Sequence, residues 1–290
     1  MFKKYKKFIK YLSIILLIVL VTSIYLFIFK INKYNNYLKI SFLDVGQGDS
    51  IYIEAPNGRQ VLIDSGPDAK LLQSLAKVMP FADRSIDMII ATHADSDHIG
   101  GFPLLIDNYS ISTILENGAT GSSQLFSTLE EKIDNNKINK IIAQKGMKIF
   151  LDDENKIYLE ILYPNRDISS LDSNETSIVC RLVYGNNSFM LMGDADIYVE
   201  NLISWSESKE ALQSDILKLG HHGSKSSSSF FWLEKVSPQI AIISAGENNR
   251  YGHPSEEVLD RLKKLDILYL ATYELGNINF ESNGEEIIRK

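Results

Sequence analysis

The feature that most constrains this chain is an apolar strand that runs directly into a dense group of metal-ligand side chains. Residues 86–92 (Ile-Asp-Met-Ile-Ile-Ala-Thr) are mostly apolar and predict a buried strand. The next six residues, His-Ala-Asp-Ser-Asp-His at 93–98 (the His/Asp loop), hold two imidazoles and two carboxylates. The tripeptide Asp-Ser-Asp by itself is common in turns, where such side chains hydrogen-bond to the nearby backbone. The two flanking histidines instead indicate one or two metal ions just beyond the carboxyl end of the strand.

The distribution of histidine along the chain supports a site rather than scattered surface residues. The sequence contains five histidines, and none lies between Ile99 and Gly220. They follow predicted strands, at His93, His98, His221, His222 and His253. An EF-hand calcium loop starting at Asp95 is excluded, because its fifth and twelfth positions, Ile99 and Ile106, lack the oxygen ligands required there. The histidines therefore mark loops that we expect to converge.

The N-terminal segment predicts a membrane anchor at residues 11–30. Tyr11 to Phe29 is a 19-residue run without charge, rich in Leu, Ile, Val and Phe, which can span a bilayer core as a helix. Residues 1–10 are basic, so the positive-inside rule predicts a single-pass protein of the cell membrane with a cytoplasmic N-terminus and an extracytoplasmic remainder. A cleaved signal peptide is the alternative, but the run is long for one and no small-x-small cleavage site follows it.

Residues 38–290 have the composition of one acidic domain, separated from the anchor by a polar, Asn-rich linker at 31–37. Hydrophobic residues make up 44% of the chain, and the single cysteine, Cys180, excludes an intrachain disulfide. Residues 38–290 keep 23 of the 30 Lys and Arg residues and all 37 Asp and Glu residues, which leaves a formal charge of −14. Such a negative charge disfavours the binding of duplex DNA through a generally positive protein surface.

Hydrophobic periodicity predicts two similar halves, each with hairpin strands first and strand–helix units after them. Residues 38–43 alternate as a strand, and Pro56-Asn57-Gly58 predicts a hairpin turn. Helices are predicted at 124–135 and 255–264, and a strand at 215–219. Two sheets packed on each other, with helices outside, account for this order of elements. We therefore expect a mixed α/β fold.

Polar residues that follow the predicted strands form a short set that fits a dinuclear metal site. They are Asp44, Asp49, Asp64, His93, Asp95, Asp97, His98, Asp194, His221, His222 and His253. Such side chains gathered at sheet ends can hold two divalent ions. Other hydrolase signatures are missing from the sequence: Gly46-Gln47-Gly48 is not followed by Lys-Ser/Thr, and there is no Gly-x-Ser-x-Gly elbow.

Several of these motifs together resemble the metallo-β-lactamase-fold hydrolases, and the His/Asp loop has the His-x-Asp-x-Asp-His form of their signature. The chain is most similar to the ComEC-like subgroup, the hydrolase domains of competence DNA-uptake proteins. The motifs are Phe-Leu-Asp-Val-Gly-Gln-Gly-Asp at 42–49, Leu-Ile-Asp-Ser-Gly at 62–66, Asn-Glu-Thr-Ser at 174–177, Met-Gly-Asp-Ala at 192–195, Leu-Lys-Leu-Gly-His-His-Gly-Ser at 217–224 and Asn-Arg-Tyr-Gly-His-Pro at 249–254. The resemblance covers residues 38–290 in order. It implies a four-layer αββα sandwich with the metals at one edge of the two sheets.

The resemblance also implies roles for individual residues. His93 and Asp95 would bind one divalent ion, and Asp97 and His98 the other. Asp194 would bridge the ions, and His221, the first histidine after its strand, would complete the second site. His222 would then support a ligand or face the substrate, and Asp64 would orient the loop by hydrogen bonding. Candidates for proton transfer or phosphate binding are Asp97, His222, His253, Lys218, Ser224 and Arg250. For Lys218, Ser224, Arg250 and His253, a purely structural role is the alternative.

Two departures from the commoner family pattern bear on the metal. Asp95 stands where that pattern has histidine, and no histidine lies between the His/Asp loop and Asp194. A site with more carboxylates and fewer imidazoles shifts preference toward Mn²⁺ or Mg²⁺ relative to Zn²⁺. The identity of the two divalent ions, Zn or Mn, stays open.

The resemblance implies a membrane-anchored hydrolase that cleaves phosphodiester bonds with a water activated by two divalent ions, a DNA nuclease associated with DNA uptake. One helix cannot form a DNA pore, so transport would need a membrane channel protein as partner. The charge of −14 keeps a second substrate class open, a cell-wall or small-molecule phosphodiester. A third hypothesis, a non-catalytic accessory protein of a membrane complex, predicts lost ligands, whereas the ligand set is present.

Overall fold

The computed structural model describes residues 2–33 and 37–290. The first helix, α1 (Phe2–Lys33), contains an apolar stretch, Tyr5–Phe27, that is exposed throughout and is long and apolar enough to cross a membrane. This stretch overlaps the predicted anchor at 11–30. The predicted linker at 31–37 begins within α1, and its residues 34–36 lie outside the described part of the chain.

The remaining elements all fall within residues 38–290. The strands are β1 (Leu38–Phe42), β2 (Ile51–Glu54), β3 (Gln60–Ile63), β4 (Ser85–Ala91), β5 (Ser110–Glu116), β6 (Asn139–Ile142), β7 (Lys148–Asp152), β8 (Ile157–Tyr163), β9 (Val179–Tyr184), β10 (Asn187–Leu191), β11 (Ile216–Lys218), β12 (Ile240–Ile243), β13 (Leu268–Ala271), β14 (Ile278–Ser282) and β15 (Ile287–Arg289). The helices are α2 (Lys70–Leu75), α3 (Ser96–Ile99), α4 (Phe102–Asn108), α5 (Gln124–Asn135), α6 (Ile197–Ser206), α7 (Lys209–Leu212), α8 (Phe230–Val236), α9 (Glu256–Lys264) and α10 (Thr272–Leu275), and two short 3₁₀ turns span Asn174–Thr176 and Gly220–Gly223.

Within the described residues these strands form two mixed sheets. The first has the order β15-β14-β1-β2-β3-β4-β5-β6, and the second has the order β13-β12-β11-β10-β9-β8-β7. In the first sheet the pairs from β14 to β3 are antiparallel and those from β3 to β6 are parallel. In the second, β7 to β10 are antiparallel and β10 to β13 are parallel. The predicted repetition, hairpins first and strand–helix units after them, is confirmed.

Three apolar cores separate four layers. Between the sheets, the Phe280 ring packs edge-on against Phe42 of its own sheet and Phe189 of the other, with centroid distances of 6.2 and 6.4 Å. On the outer faces, Phe102 of α4 lies in the core beneath the first sheet's helices, and Trp232 of α8 lies in the core beneath those of the second. Each of these rings is at most 1% exposed. The αββα sandwich predicted from the resemblance is confirmed.

The two ends of the strands form chemically different edges. The carboxyl ends of β3, β4, β10 and β11 lead into Asp64, the His/Asp loop, Asp194 and the turn at 220–223, and we call this end the site edge. The hairpin turns of both sheets meet at the opposite end, which we call the hairpin edge. There Asn57 Nδ2 donates to Leu151 O at 2.8 Å, and the Asn186 amide donates to Gly284 O at 2.7 Å.

Candidate metal centre

The His/Asp loop is held in place by one buried carboxylate, that of Asp64 at the end of β3. Asp64 accepts hydrogen bonds from the Thr92 amide (2.9 Å) and the Thr92 hydroxyl (2.7 Å). Its Oδ2 also lies 2.8 Å from Nδ1 of His98, which places the imidazole proton on Nδ1. The Nε2 atom of His98 is therefore free to act as a ligand. The orienting role that the resemblance implied for Asp64 agrees with these bonds.

Three ligand-type atoms at the centre of the site edge are buried and lack hydrogen-bond partners among the described residues. They are Nε2 of His93, Nε2 of His98 and Oδ1 of Asp194. All three side chains are at most 4% exposed. Nε2 of His98 and Oδ1 of Asp194 are 3.2 Å apart, and one ligand atom from each of the three residues lies within 4.8 Å of the other two. Burying three unsatisfied polar atoms side by side is costly. A bound cation would satisfy all three, so the residues present fit a metal ion.

A second group of ligand atoms adjoins the first and shares His98 with it. Nε2 of His222 lies 3.3 Å from Oδ2 of Asp97 and 3.5 Å from Oδ2 of Asp194. The His98 and His222 rings stack with centroids 5.4 Å apart. We call the five residues His93, Asp97, His98, Asp194 and His222 the ligand cluster. The two overlapping groups provide donor sets for two cations, with Asp194 between them.

The structure brings His222, rather than the predicted His221, into the ligand cluster. Nδ1 of His222 donates to Ser244 O at 2.9 Å and lies 3.1 Å from Asp49 Oδ1, so Nε2 is the nitrogen that faces the cluster. His221 is 26% exposed, and its Nε2 is 3.9 Å from Asp194. Its Nδ1 faces Asn174 and Ser226, at 3.3 Å each. The side chain first off the strand thus lies beside the ligand cluster rather than within it, and its role as a metal ligand stays a prediction.

Lys218 is also placed differently from the expectation that it binds phosphate. Its side chain is fully buried, and Nζ pairs with Asp49 Oδ2 at 2.6 Å and donates to Leu219 O at 2.8 Å. Lys218 therefore does not face the open side of the site. It neutralises Asp49, the carboxylate that accepts from His222, and so supports a member of the ligand cluster indirectly. Two signals in the sequence pointed to Asp49, its place in a post-strand turn and its position at the end of the motif at 42–49.

The remaining candidate residues lie around the open side of the cluster. Asp95 is partly exposed, with Oδ2 3.6 Å from His93 Nε2 and Oδ1 accepting from Ser173 Oγ at 2.6 Å. Ser224 is nearly buried and pairs with the Ser226 hydroxyl at 3.0 Å rather than with a ligand. The His253 ring lies 5.3 Å from the ring of His221. Asp95 can thus extend the first donor set, whereas Ser224 shapes its loop.

An exposed aromatic and a cation form the rim beside His253. The Tyr251 ring stacks on the His253 ring at 5.9 Å, and the Arg250 guanidinium lies over Tyr251 at 4.8 Å. Tyr251 is 53% exposed, and Arg250 is exposed as well. These three side chains therefore offer a flat ring, a positive charge and an imidazole toward solvent at the mouth of the site.

Sequence reasoning missed the residues that position His93. The hydroxyls of Thr92 and Ser177 lie 3.1 and 3.4 Å from His93 Nδ1, and Ser177 also accepts from the Asp194 amide at 3.2 Å. Asn117 holds the adjoining segments together by donating to Thr92 O at 3.1 Å and Thr176 O at 3.0 Å. The Asn-Glu-Thr-Ser motif at 174–177 was the only sequence signal for this role.

The electrostatic potential within the ligand cluster is strongly negative. Burial alone would lower the pKa of His98, but Asp194 and Asp64 raise it well above its usual range. Burial opposes protonation of His222 too, and Asp194 and Asp49 nevertheless raise its pKa to about 9. Carboxylates that hold protons on buried imidazoles would equally stabilise divalent cations in the place of those protons. Outside the cluster, burial and the neighbouring His221 lower the pKa of His253 to about 4, so that it is neutral near pH 7.

Comparison with known proteins agrees with this geometry. Residues 43–135 match the family described as Metallo-beta-lactamase superfamily. ComE operon protein 3 of Bacillus subtilis is 29% identical over 264 residues, which cover 83% of this chain and 33% of that protein. Competence protein ComA of Neisseria gonorrhoeae is 30% identical over 247 residues, covering 84% of this chain and 32% of that protein. The chain thus spans about a third of the length of these curated relatives.

Among solved structures, Igni18, described as a novel metallo hydrolase from the archaeon Ignicoccus hospitalis, superposes with a TM-score of 0.54. The superposition covers 85% of this chain and 99% of that protein, at 12% sequence identity. At this identity the likeness shows the fold alone, which is the same four-layer arrangement.

Proposed function

Since the chain belongs to the metallo-β-lactamase superfamily and carries a ComEC-like hydrolase domain, we propose that it is a metal-dependent phosphodiesterase, with DNA as its substrate. The observation that carries the proposal is the ligand cluster at the site edge. Its three buried, unsatisfied atoms fit one divalent cation, and the adjoining side chains of Asp97 and His222 offer donors for a second. A non-catalytic accessory protein would have no use for this costly burial.

In this proposal, His93, His98 and Asp194 hold one cation, with Asp95 at its open side, and Asp97, His222 and Asp194 hold the other. Two bound divalent ions would lower the pKa of a shared water and polarise a phosphoryl oxygen. Asp97 is 28% exposed and reaches the open side, where it can accept the proton of the attacking water. His253 is neutral near pH 7, so it can offer a hydrogen bond to the leaving oxygen, whereas the proton for that oxygen would come from water.

The rim favours a nucleic-acid substrate. Arg250 can bind a phosphate adjacent to the cleaved one, and its movement to that phosphate would uncover the face of Tyr251 for stacking on a base. Two of the relatives have names that refer to competence or its operon, which is consistent with a role in DNA uptake. Through α1, the chain would be anchored in the cell membrane with its hydrolase domain outside, beside a separate channel protein.

A second candidate, a small or wall-linked phosphodiester, is favoured by the scarcity of cations near the site. A cleft of about 510 Å³ lies beside Asn117, which donates to Thr92 O, and has Lys145 and Arg166 as its basic residues. Lys145 is already paired with Glu207 at 2.5 Å. Residues 120–125, which could have lined a nucleic-acid track, contain no Lys or Arg. A short substrate would need fewer phosphate contacts than a DNA strand.

The test uses the full chain in detergent, stripped of metal and resupplied with Mn²⁺ or Zn²⁺. End-labelled single-stranded and duplex DNA are incubated with the wild type, with Asp97→Ala and with Asp153→Ala, a matched exposed aspartate at the hairpin edge. We expect metal-dependent cleavage by the wild type and by Asp153→Ala, and a loss of more than about 100-fold in Asp97→Ala.

Two results would change the assignment. If two metals bind but only bis(p-nitrophenyl) phosphate is hydrolysed, the second candidate replaces DNA. If the wild-type chain binds no metal at all, the hydrolase function itself is wrong.

A further inference from the structure

We propose that the cleft beside Asn117 is a subsite for the DNA substrate on one side of the ligand cluster, in which Arg166 binds a phosphate about three nucleotides away from the cleaved one. The substrate class rests on the proposed function. The subsite itself follows from where the cleft lies on the site edge, how far it is from the ligand cluster and which of its charges lacks a partner.

The cleft opens on the same edge of the sandwich as the ligand cluster. Its lining residues, 117–118, 142–145 and 164–169, stand at the carboxyl ends of β5, β6 and β8. Strands β5 and β6 run parallel to β4, which leads into the His/Asp loop. Two antiparallel pairings give β8 the direction of β10, which leads to Asp194. The cleft therefore lies where sheets of this kind bind their ligands, beyond the carboxyl ends of the strands.

Two contacts connect the walls of the cleft to the His/Asp loop. Asn117, in one wall, donates to Thr92 O at 3.1 Å, and Thr92 directly precedes His93. The wall that follows β8 continues to Ser173, whose hydroxyl donates to Asp95 Oδ1 at 2.6 Å. The same segments therefore border the cleft and position two candidate metal ligands.

The order of the strands gives the separation between the cleft and the ligand cluster. In the first sheet β6 is two strands from β4, and in the second sheet β8 is two strands from β10. Neighbouring strands lie about 4.8 Å apart, so the cleft is about 10 Å from the cluster. Stacked nucleotides rise about 3.4 Å each along a DNA strand. About three nucleotides would therefore bridge the distance.

The rim formed by Arg250, Tyr251 and His253 lies on the other side of the ligand cluster. In the second sheet the rim follows β12, the cluster residues follow β10 and β11, and the cleft follows β8. A DNA strand whose cleaved phosphate lies at the cluster would have one flank on the rim and the other in the cleft.

Arg166 is the basic residue of the cleft whose charge is not compensated. Its Nη1 donates to the neutral Tyr198 hydroxyl at 3.0 Å, and no carboxylate among the described residues forms an ion pair with it. The neighbouring Asp167 instead accepts from a backbone amide of its own loop at 2.9 Å. Lys145, by contrast, is paired with Glu207 at 2.5 Å. One exposed guanidinium is the group best suited to a single flanking phosphate.

The size and polarity of the cleft fit one unpaired nucleotide. Its volume of about 510 Å³ is within the range of pockets that hold a small molecule. Gln144 and Asn165 are exposed in its lining, and their amides can donate to or accept from the edge of a base. A diester without a flanking phosphate would leave this cleft unused.

The kinetic test compares single-stranded oligothymidylates of three and nine residues, with the full chain in detergent and Mn²⁺ or Zn²⁺. The shorter strand cannot reach from the ligand cluster to Arg166, whereas the longer one can. The ratio of kcat/KM for the long strand to that for the short strand is measured in the wild type and in Arg166→Gln. The matched control is Arg59→Gln, an exposed arginine at the hairpin edge that donates to Phe150 O. We expect the ratio to fall about 10-fold in Arg166→Gln, because a charged hydrogen bond is lost, and to keep its wild-type value in Arg59→Gln.

Binding is measured separately in metal-free protein, by fluorescence anisotropy of the nine-residue strand at several salt concentrations. The slope of log K against log[salt] should become less steep by about 0.7 in Arg166→Gln, the value of one phosphate contact with a single strand. Arg166→Lys keeps the charge and should keep the wild-type slope. Tyr198→Phe removes only the hydrogen bond between Arg166 and its neighbour and should keep the slope too.

Three outcomes would overturn the subsite. They are a wild-type ratio or a wild-type salt slope in Arg166→Gln, no binding of the nine-residue strand by the wild type, and a Tyr198→Phe chain that behaves like Arg166→Gln, since Arg166 would then only anchor its loop. If the wild type cleaves neither strand with either metal, the proposed cleavage of DNA fails, while the salt slope still decides whether Arg166 binds the strand.

Discussion

Replacing Lys218 by methionine is expected to lower the free energy of unfolding by about 3–5 kcal/mol, because it leaves the Asp49 carboxylate buried without its cation. Nζ of Lys218 and Oδ2 of Asp49 are 2.6 Å apart, and the two side chains are 0% and 2% exposed. Methionine fills nearly the same volume, so loss of packing is a minor contribution. For a domain of this size, the change corresponds to a drop of roughly 6–20 °C in Tm.

Lys39→Met is the matched control for this substitution. Lys39 pairs with Glu54 at 2.7 Å, nearly the same distance, but Lys39 is 37% exposed. Solvent screens such a pair, so its loss should cost less than about 1 kcal/mol. Comparing the two variants separates the effect of burial from the effect of losing an ion pair.

The assay is urea unfolding of the full chain in detergent, monitored through the buried Trp232, which is 1% exposed. The double variant Asp49→Asn/Lys218→Met removes both charges and should be more stable than the sum of the two single changes by about 1–3 kcal/mol. The reasoning is refuted if Lys218→Met costs no more than Lys39→Met, or if the two single effects simply add.

Three further predictions follow from the described geometry. His222→Ala should weaken metal binding at least about 10-fold in a competition titration, and His221→Ala should not, because only the first side chain belongs to the ligand cluster; equal effects would contradict this. Gly48→Ala should unfold at a clearly lower urea concentration than Gly46→Ala, since a Cβ at Gly48 would lie 2.2 Å from a carbonyl oxygen of the His/Asp loop, whereas Gly46 has open space. Burial raises the pKa of Glu200 from 4.5 to about 7, so its neutral form is favoured in the folded state. Stability should therefore fall by roughly 3 kcal/mol as the pH rises from about 4.5 to 7, and Glu200→Gln should flatten that slope in urea titrations.

The secondary structure was predictable wherever burial leaves a clear periodicity. Helix α5 was predicted at 124–135 and has those bounds, with Ser123 accepting from the Phe126 amide as its N-cap. Strand β4 was predicted one residue late, because parallel strands covered on both faces give a continuous apolar run without a sharp start. Strand β7 was missed, since it alternates weakly and lies at the sheet margin.

Contacts between segments that are distant in the chain were harder to predict from the sequence. Asp49 and Lys218 are 169 positions apart, and neither residue alone differs from a surface aspartate or a strand lysine in the sequence. Their pairing depends on two loops, one from each sheet, arriving at the same edge. The sequence motifs indicated which loops converge. Which side chains form ion pairs within those loops became visible only in the structure.

The choice between the adjacent histidines depends on a backbone turn that residue types alone do not reveal. Gly220 approaches the neighbouring chain so closely that a Cβ there would lie 2.4 Å from Ala195 O. His221 and His222 then both adopt left-handed backbone angles, with φ of 46° and 55°. Two consecutive non-glycine residues in this region cost about 1–3 kcal/mol each. The hydrogen bond from His222 to Ser244 O and its contact with Asp49 compensate for that strain, and a bound cation would add to them. The strained turn therefore explains why the second histidine, and not the first, reaches the ligand cluster.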